Sequence, residues 1–248
     1  MSDKKLLFKT HQGLGDHILC VGLYKTLAQN YSECLLPVRQ PYRRAVANML
    51  QEIENINVFS YDSKFTKTPW ESWYFGLGAH ERFLTKRGHD SLNLGSFDTN
   101  FLKDGITKFD HEFYKQAEVP FQSRWESGFI HRDSSKETEL FDALAPHDEP
   151  YIFVHDDASR NFKINPKYFP PEVKIIRPSQ KLMKRYSISD YLTLIENALE
   201  IHCIESSFCA LIETYGTDVP KFAHRYARPE ALGSTQLEFT YKSSCRWN

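Results

Sequence analysis

The sequence lacks the features that place a protein in a membrane or in an oxidising compartment. No apolar run is long enough to span a bilayer, and residues 1–5 are polar, without a signal-peptide core. The five cysteines form no Cys-x-x-Cys pair and lie mostly in apolar segments, so a disulfide framework and a zinc site are both disfavoured. We therefore expect a soluble, cytoplasmic protein with no integral membrane segment.

The chain also lacks a large excess of positive or negative charge. The formal net charge is -1 over 248 residues, which gives no bulk attraction to nucleic acid or to an anionic membrane. Local basic clusters can still bind phosphate. Hydrophobic residues make up 41% of the chain and aromatic residues 14%, which is enough for a packed core in one large or two small domains.

Short apolar runs alternate with helical patterns along the first part of the chain. Strands are predicted at 5–10, 34–38 and 56–61, with helices at 18–30 and after Pro41. This β-α-β-α-β order predicts a parallel sheet, which binds ligands outside the carboxyl ends of its strands. Residues 66–105 show no regular pattern; their mixed aromatic and basic side chains fit either a sugar or phosphate platform or an irregular piece of core.

The same alternation returns in the second half of the chain. Helices are predicted at 109–117 and 137–144, followed by a linker at 145–150 that is bounded by prolines. Four strands follow at 151–155, 173–176, 201–204 and 221–223, with helices from Ser189 and over 208–215. We therefore predict an α/β protein with two Rossmann-like domains, at 1–147 and 148–248. Their carboxyl edges are expected to face a cleft, and the C-terminal tail can pack back on the first domain.

A glycine-rich turn follows the first predicted strand. Gly13 and Gly15 are expected to allow a tight turn with positive φ and a close approach of a ligand. Asp16 then stands at the start of the next helix, where it is either a helix cap or a catalytic carboxylate. His17 is the rival as a base, since imidazole titrates near neutrality, but side chains in a first helical turn also pack or cap.

The strand ends of the second half carry polar and basic residues that predict an anion site. Ser206 and Ser207 precede a helix whose free amides and hydroxyls can hold a phosphate, while Glu205 can accept the hydroxyls of a ribose. The simpler interpretations are helix capping for the serine and a solvated surface for each basic side chain. The donor-site candidates in this half are His155, Arg160, Arg177, Lys181, Glu205, Ser206, Ser207 and His224.

Gly13-Leu14-Gly15-Asp16, together with the helix through residues 23–27, resembles the opening of inverting glycosyltransferases with the two-domain GT-B fold, above all the heptosyltransferases. That resemblance implies that Asp16 is the catalytic base. The turn Glu205-Ser206-Ser207-Phe208 is similar to the donor-site turn of those enzymes and to the Ser-Ser-Phe of fucosyltransferases, which implies that Glu205 binds ribose and that the serines bind phosphate.

Two basic residues are assigned by the same resemblance. The stretch 155–160 resembles the basic loop that fucosyltransferases place after the first strand of their donor domain, so Arg160 is expected to meet the diphosphate. Lys181 matches the phosphate lysine of heptosyltransferases, although Lys184 competes for that role. The chain is shorter than is usual for GT-B enzymes. Asp156-Asp157 has no clear metal context, and GT-B sites use side-chain cations and helix ends, so no metal and no cofactor is expected.

The resulting hypothesis is an inverting, metal-independent glycosyltransferase that moves a sugar from a nucleotide diphosphate sugar to a glycan or surface-polymer hydroxyl. One alternative is a non-catalytic nucleotide- or sugar-binding protein. A Rossmann methyltransferase or dinucleotide enzyme fits less well, because no third glycine follows at the required spacing and Arg39 stands where an acidic residue is needed. The sequence specifies neither the sugar, the base nor the acceptor.

Overall fold

The computed structural model describes residues 3–10, 13–61, 78–94, 109–145, 149–157, 161–224 and 246–247. These residues form two compact units that separate between His131 and Arg132, and each unit has its own parallel sheet. The prediction of an α/β chain with two Rossmann-like units is confirmed.

The first unit contains a four-stranded parallel sheet. Its strands are β1 (Lys5–Lys9), β2 (Glu33–Val38), β3 (Ile56–Ser60) and β4 (His89–Asn93), in the spatial order β3-β2-β1-β4. Its helices are α1 (Leu14–Leu19), α2 (Val21–Ala28), α3 (Arg43–Met49), α4 (Gly78–Thr85), α5 (Phe109–Gln116) and α6 (Ser123–Glu126), with a 3-10 turn at Gln40–Tyr42. Leu6, Leu7 and Phe8 of the central strand are at most 2% exposed, as expected for a parallel strand covered on both faces.

Several details of the first unit differ from the sequence-based expectation. Helix α4 and strand β4 both lie within the stretch 66–105, for which no regular element was predicted; residues 62–77 and 95–108 lie outside the described part of the chain. The single helix expected at 18–30 is two helices that meet at Cys20, with φ -92° and ψ 1°. Helix α6 was also missed. It packs so closely on α2 that a Cβ added to Gly22 would lie 2.0 Å from the Ser123 carbonyl oxygen.

The second unit contains a five-stranded parallel sheet. Its strands are β5 (Tyr151–His155), β6 (Lys174–Ile176), β7 (Ile201–Cys203), β8 (Lys221–Ala223) and β9 (Arg246–Trp247), in the order β6-β5-β7-β8-β9. Its helices are α7 (Ser134–Leu144), α8 (Gln180–Arg185), α9 (Leu192–Glu196) and α10 (Ser207–Tyr215), with 3-10 turns at Pro166–Tyr168 and Ile188–Tyr191. The end of the tail, β9, thus pairs within this unit, and residues 225–245 lie outside the described ranges.

Helix α7 belongs to the second unit, although a boundary at 147/148 would assign it to the first. Arg132, just before the helix, donates from Nε to Glu137 at 2.8 Å and from both terminal nitrogens to Glu196 of α9, each at 2.8 Å. Those hydrogen bonds raise the pKa of the guanidinium. Thr193 donates from its backbone amide to Glu137 at 3.1 Å. This network fastens α7 to α9, which explains why the boundary lies at 131/132.

Candidate functional site

In both sheets, several of the predicted site residues lie at the carboxyl ends of parallel strands. In the first sheet the chain leaves β1 and enters α1, and β1 lies between β2 and β4. In the second sheet the chain leaves β5 towards β6 on one side, while β7 lies on the other side. In open α/β sheets, ligands bind at the place where the connections diverge in this way. That place lies at the carboxyl ends of β1 and β4 in the first unit and at the carboxyl ends of β5 and β7 in the second. We call these two places the β1/β4 edge and the β5/β7 edge.

At the β1/β4 edge, the Asp16 carboxylate folds back over the start of its own helix. Gly13 is the N-cap residue of α1, and its backbone N–H donates to Asp16 Oδ2 at 3.0 Å. Gly15 lies within the first turn of the helix. Gly13 has φ -84° and ψ 147°, so the expected positive φ is wrong there; the positive-φ glycines among the described residues are Gly88 and Gly216. Asp16 is therefore a helix-capping carboxylate.

His17, the rival base, lies in the core of the first unit. His17 is only 1% exposed, and its Nδ1 lies 3.1 Å from the hydroxyl of Tyr24. Tyr24 is itself fully buried and packs edge-on against Phe8, with ring centroids 5.0 Å apart. This position favours packing as the role of His17, because a base must reach its substrate.

At the β5/β7 edge, a histidine and a serine from neighbouring strands meet. His155 ends β5, and its Nδ1 lies 2.9 Å from the Oγ of Ser206, which follows β7. Ser206 is also the N-cap of α10, and its Oγ accepts from the Cys209 amide at 3.4 Å. Because Ser206 Oγ accepts from the Cys209 amide, its own proton can be donated to Nδ1 of His155. In that tautomer, a neutral imidazole ring carries its N–H on Nε2. The ring of Phe208 packs against His155 at 4.5 Å.

The other residues of the Glu205-Ser206-Ser207 turn take different environments. Glu205 is buried, with 8% of its surface exposed, while Ser206 and Ser207 are half-buried. Ser207 is the first residue of α10, so its amide belongs to the group of helix-start amides that have no partner within the helix itself. The turn therefore presents hydroxyls and amides at the edge of the sheet, with the carboxylate held closer to the core.

The basic candidates are placed less uniformly. Arg177 follows β6; its Nε lies 3.6 Å from Asp156, and its guanidinium lies 5.6 Å from the ring centroid of Phe169. Lys181 is exposed in the first turn of α8, a helix that the sequence did not predict. Lys184, its rival, is exposed on the same helix. Arg160 lies outside the described residues, between Asp157 and Phe162, which exchange two backbone hydrogen bonds of 2.8 Å.

His224 follows β8 at the predicted edge, but it is not a cation. It is fully buried, and its Nε2 lies 2.9 Å from Nδ1 of His202, whose own Nε2 lies 3.1 Å from Glu200. Burial, and then the neighbouring His202, lower the pKa of His224 to about 4. A neutral, fully buried ring cannot supply positive charge to a phosphate, so this position does not favour His224 as a donor-site residue. Sequence reasoning missed His202, because its contact depends on how β7 pairs with β8.

Among the residues that the structure describes, no group of three or more His, Cys, Asp or Glu side chains is placed to hold a metal ion. Asp156 lies beside Arg177 instead. Within the same part of the chain, no helix is long and apolar enough to cross a membrane.

The fold is similar to those of several glycosyltransferases. A glycosyl transferase family 9 structure from Veillonella parvula has a TM-score of 0.55 and 12% identity, over 90% of this chain and 81% of that one. Two weaker likenesses, each with a TM-score of 0.49, are to E. coli ADP-heptose LPS heptosyltransferase II and to TibC, an iron-containing dodecameric glycosyltransferase from enterotoxigenic E. coli. The heptosyltransferase has 12% identity over 89% of this chain and 84% of its own. TibC has 14% identity over 90% of this chain and 58% of its own.

No protein-family model and no curated protein matches this sequence. At 12% identity, the likeness to the family 9 structure concerns the fold alone. It agrees with the expectation of a two-unit, GT-B-like α/β chain.

Proposed function

We propose that this protein is a glycosyltransferase that transfers a sugar from a nucleotide diphosphate sugar to an acceptor hydroxyl, with inversion and without a metal ion. The observation that carries the proposal is the pair of His155 and Ser206, 2.9 Å apart at the β5/β7 edge and directly before helix α10. The family 9 likeness in fold supports the same reading.

The second unit is the donor-binding unit in this proposal. The first amides of α10 and the hydroxyls of Ser206 and Ser207 hold the diphosphate, and the helix dipole favours its negative charge. The His155 ring adds an N–H donor. Arg177 supplies positive charge, together with Lys181 and Arg160, and Glu205 receives the hydroxyls of the ribose.

The first unit is the acceptor unit in this proposal. Asp16 accepts the proton of the acceptor hydroxyl as that oxygen bonds to the anomeric carbon, and the bond to the diphosphate breaks on the opposite face. The departing diphosphate keeps the electron pair and is stabilised by the amides and cations of the second unit. Direct displacement of this kind inverts the anomeric configuration. The acceptor is a glycan or surface-polymer precursor, and the reaction takes place in the cytoplasm without a cofactor or nucleic acid.

A non-catalytic nucleotide- or sugar-binding protein is the second candidate, and one observation favours it. The Asp16 carboxylate already caps its helix by accepting the Gly13 amide, and helix capping alone explains an acidic residue at that place. Binding without transfer would follow if capping were its whole role. The methyltransferase reading has no comparable support.

Thermal-shift measurements with UDP, GDP, ADP and matching nucleotide sugars test the proposal, with S-adenosylmethionine as the comparison. A ligand at ~100 times its dissociation constant adds about 2.7 kcal/mol of stability. We expect stabilisation by at least one nucleoside diphosphate and none by S-adenosylmethionine. Ser206→Ala should remove most of that shift, whereas Ser32→Ala, which changes a surface serine bonded to the Lys4 carbonyl, should keep it.

The stabilising nucleotide sugar is then incubated with acceptor glycans, and released nucleoside diphosphate is measured. Release that depends on the acceptor supports transfer. Stabilisation without any release across the acceptor panel would favour the binding protein, and stabilisation by S-adenosylmethionine alone would overturn both readings.

A further inference from the structure

The backbone at Gly13 does not by itself require glycine. Its φ of -84° and ψ of 147° fall in the extended region that every L-residue adopts. Gly13 is also the N-cap of α1, a position where Ser, Thr, Asp or Asn would add a side-chain hydrogen bond that glycine lacks. The backbone angles therefore do not require glycine at residue 13, and helix capping favours glycine only over residues such as alanine, not over Ser, Thr, Asp or Asn.

The side chain of Asp16 accounts for the absence of a side chain at residue 13. A Cβ added to Gly13 would lie 2.5 Å from Asp16 Oδ2 and 3.4 Å from its Cγ. The same Oδ2 accepts the Gly13 amide at 3.0 Å. A carbon and an oxygen cannot approach to that distance without displacement, so the carboxylate occupies the space that any other residue at position 13 would fill.

We propose that Gly13 is a positioning residue for Asp16: the Asp16 carboxylate occupies the space that a Cβ at residue 13 would fill, and it rests there against the start of the helix. The inference rests on the proposed role of Asp16 as base. A methyl group at residue 13 pushes the flexible carboxylate away and breaks its hydrogen bond with the Gly13 amide. Because the backbone angles suit alanine, helix α1 itself remains in place.

A double-mutant cycle of Gly13→Ala and Asp16→Ala tests this contact, since residues in contact show non-additive effects. Gly13→Ala should lower kcat by about 10²-fold, the loss that a displacement of about 1 Å can cause, and should leave the KM for the nucleotide sugar within about twofold. In the Asp16→Ala background, the added Gly13→Ala change should alter kcat by less than about twofold, because no carboxylate remains to be displaced.

Thermal unfolding of the same four proteins gives a readout that does not need activity. Gly13→Ala should lower Tm in the parent protein and have a much smaller effect in the Asp16→Ala background. Gly88→Ala is the matched glycine control: no atom lies within 4 Å of its added Cβ, but its φ is +84°. It should lower Tm through backbone strain and leave kcat unchanged.

The outcomes separate this inference from the proposed function. Additive Tm changes would overturn the contact between Gly13 and Asp16, whether or not sugar transfer is observed. Coupled Tm changes with an unchanged kcat in Gly13→Ala would show a structural contact only and overturn the positioning role. Coupled Tm changes in a protein that transfers no sugar would contradict the proposed function while leaving the contact in place.

Discussion

The two carboxyl edges use the same backbone pattern to present different chemistry. At the β1/β4 edge a glycine caps a six-residue helix, and a carboxylate folds back onto the amide of that glycine. At the β5/β7 edge a serine caps a nine-residue helix and bonds to an imidazole from the neighbouring strand. One edge presents a carboxylate, and the other presents a hydroxyl and an imidazole at the start of a longer helix. The proposed function uses this difference by assigning the base to the first edge and the anion site to the second.

The units also differ in how they bury charged and titratable groups. The first contains a fully buried ion pair between Arg124 of α6 and Asp110 of α5, which joins the two helices. The second unit buries the hydrogen-bonded pair of His202 and His224. Its Arg132 binds the carboxylates of Glu137 and Glu196. Stability experiments can therefore address one unit with little expected effect on groups inside the other.

The largest expected effect on stability follows the loss of Arg132. Arg132→Ala should destabilise the second unit by about 3 kcal/mol, the lower end of the cost of removing one partner of a buried ion pair, because Glu137 is 2% exposed whereas the Arg132 side chain is 30% exposed. Hydrogen exchange of the β5 and β7 amides measures this. Arg185→Ala, which removes an exposed pair with Glu139, is the control and should change exchange little.

The same experiment sharpens the domain boundary. If α7 belongs with the second unit, its amides should lose protection together with those of β5 in Arg132→Ala. Loss of protection in β1 instead, with β5 unchanged, would contradict the boundary at 131/132 and favour the predicted boundary at 147/148.

The next effect is an acid-dependent loss of stability in the second unit. The pKa of His224 is lowered from 6.5 to about 4 by burial and by His202, so the folded state binds fewer protons than the unfolded chain between those values. Above pH 6.5 this histidine therefore leaves the free energy of unfolding unchanged. As the pH falls towards 4, the free energy of unfolding decreases by up to roughly 3 kcal/mol. Glu200, which pairs with His202 and holds its ring, faces the same cluster.

Urea unfolding between pH 4 and 7 measures this slope. His224→Gln should flatten it, while His131→Gln, which changes a partly exposed histidine paired with Glu52 in the first unit, should not. An equal slope in the parent protein and His224→Gln would contradict the assignment of a neutral, buried imidazole.

The smallest expected effect concerns donor affinity. Arg177→Gln should weaken nucleoside diphosphate binding by about tenfold, or about 1.4 kcal/mol, because the side chain is 40% exposed and is one of several donors. Calorimetric titration measures the dissociation constant, with Arg185→Gln as the matched surface variant. Unchanged affinity in Arg177→Gln would remove Arg177 from the proposed phosphate site.

The sequence predicted the elements whose apolar residues form short buried runs. Strands β1, β5 and β7 are examples, since their central residues are covered on both faces. It missed β4, His89–Asn93, because that polar segment becomes a strand only by pairing with β1. It placed the domain boundary at a proline-rich segment, since the Arg132 network is a long-range feature that no local pattern reveals.

The sequence predicted which residues lie at the ends of the strands better than it predicted the contacts those residues make. Parallel strands fix which edge their carboxyl ends share, so the neighbourhoods of Asp16 and Ser206 could be found from strand order alone. The contact between His155 and Ser206 needed the adjacency of β5 and β7, which sequence order does not state. The sequence placed His224 at the end of β8, but its burial and its contact with His202 depend on how the strands pair, so no local pattern reveals them.

The division of roles between the two edges is tested most directly by Asp16→Asn, which keeps a side-chain oxygen for the Gly13 amide and removes the base. With the nucleotide sugar that stabilises the protein, we expect kcat to fall by about 10²–10⁴-fold, the usual contribution of a general base, and the donor dissociation constant to stay within about twofold. Asp133→Asn, a helix-capping acid at the start of α7, is the control and should keep both values. Unchanged transfer by Asp16→Asn would contradict the account.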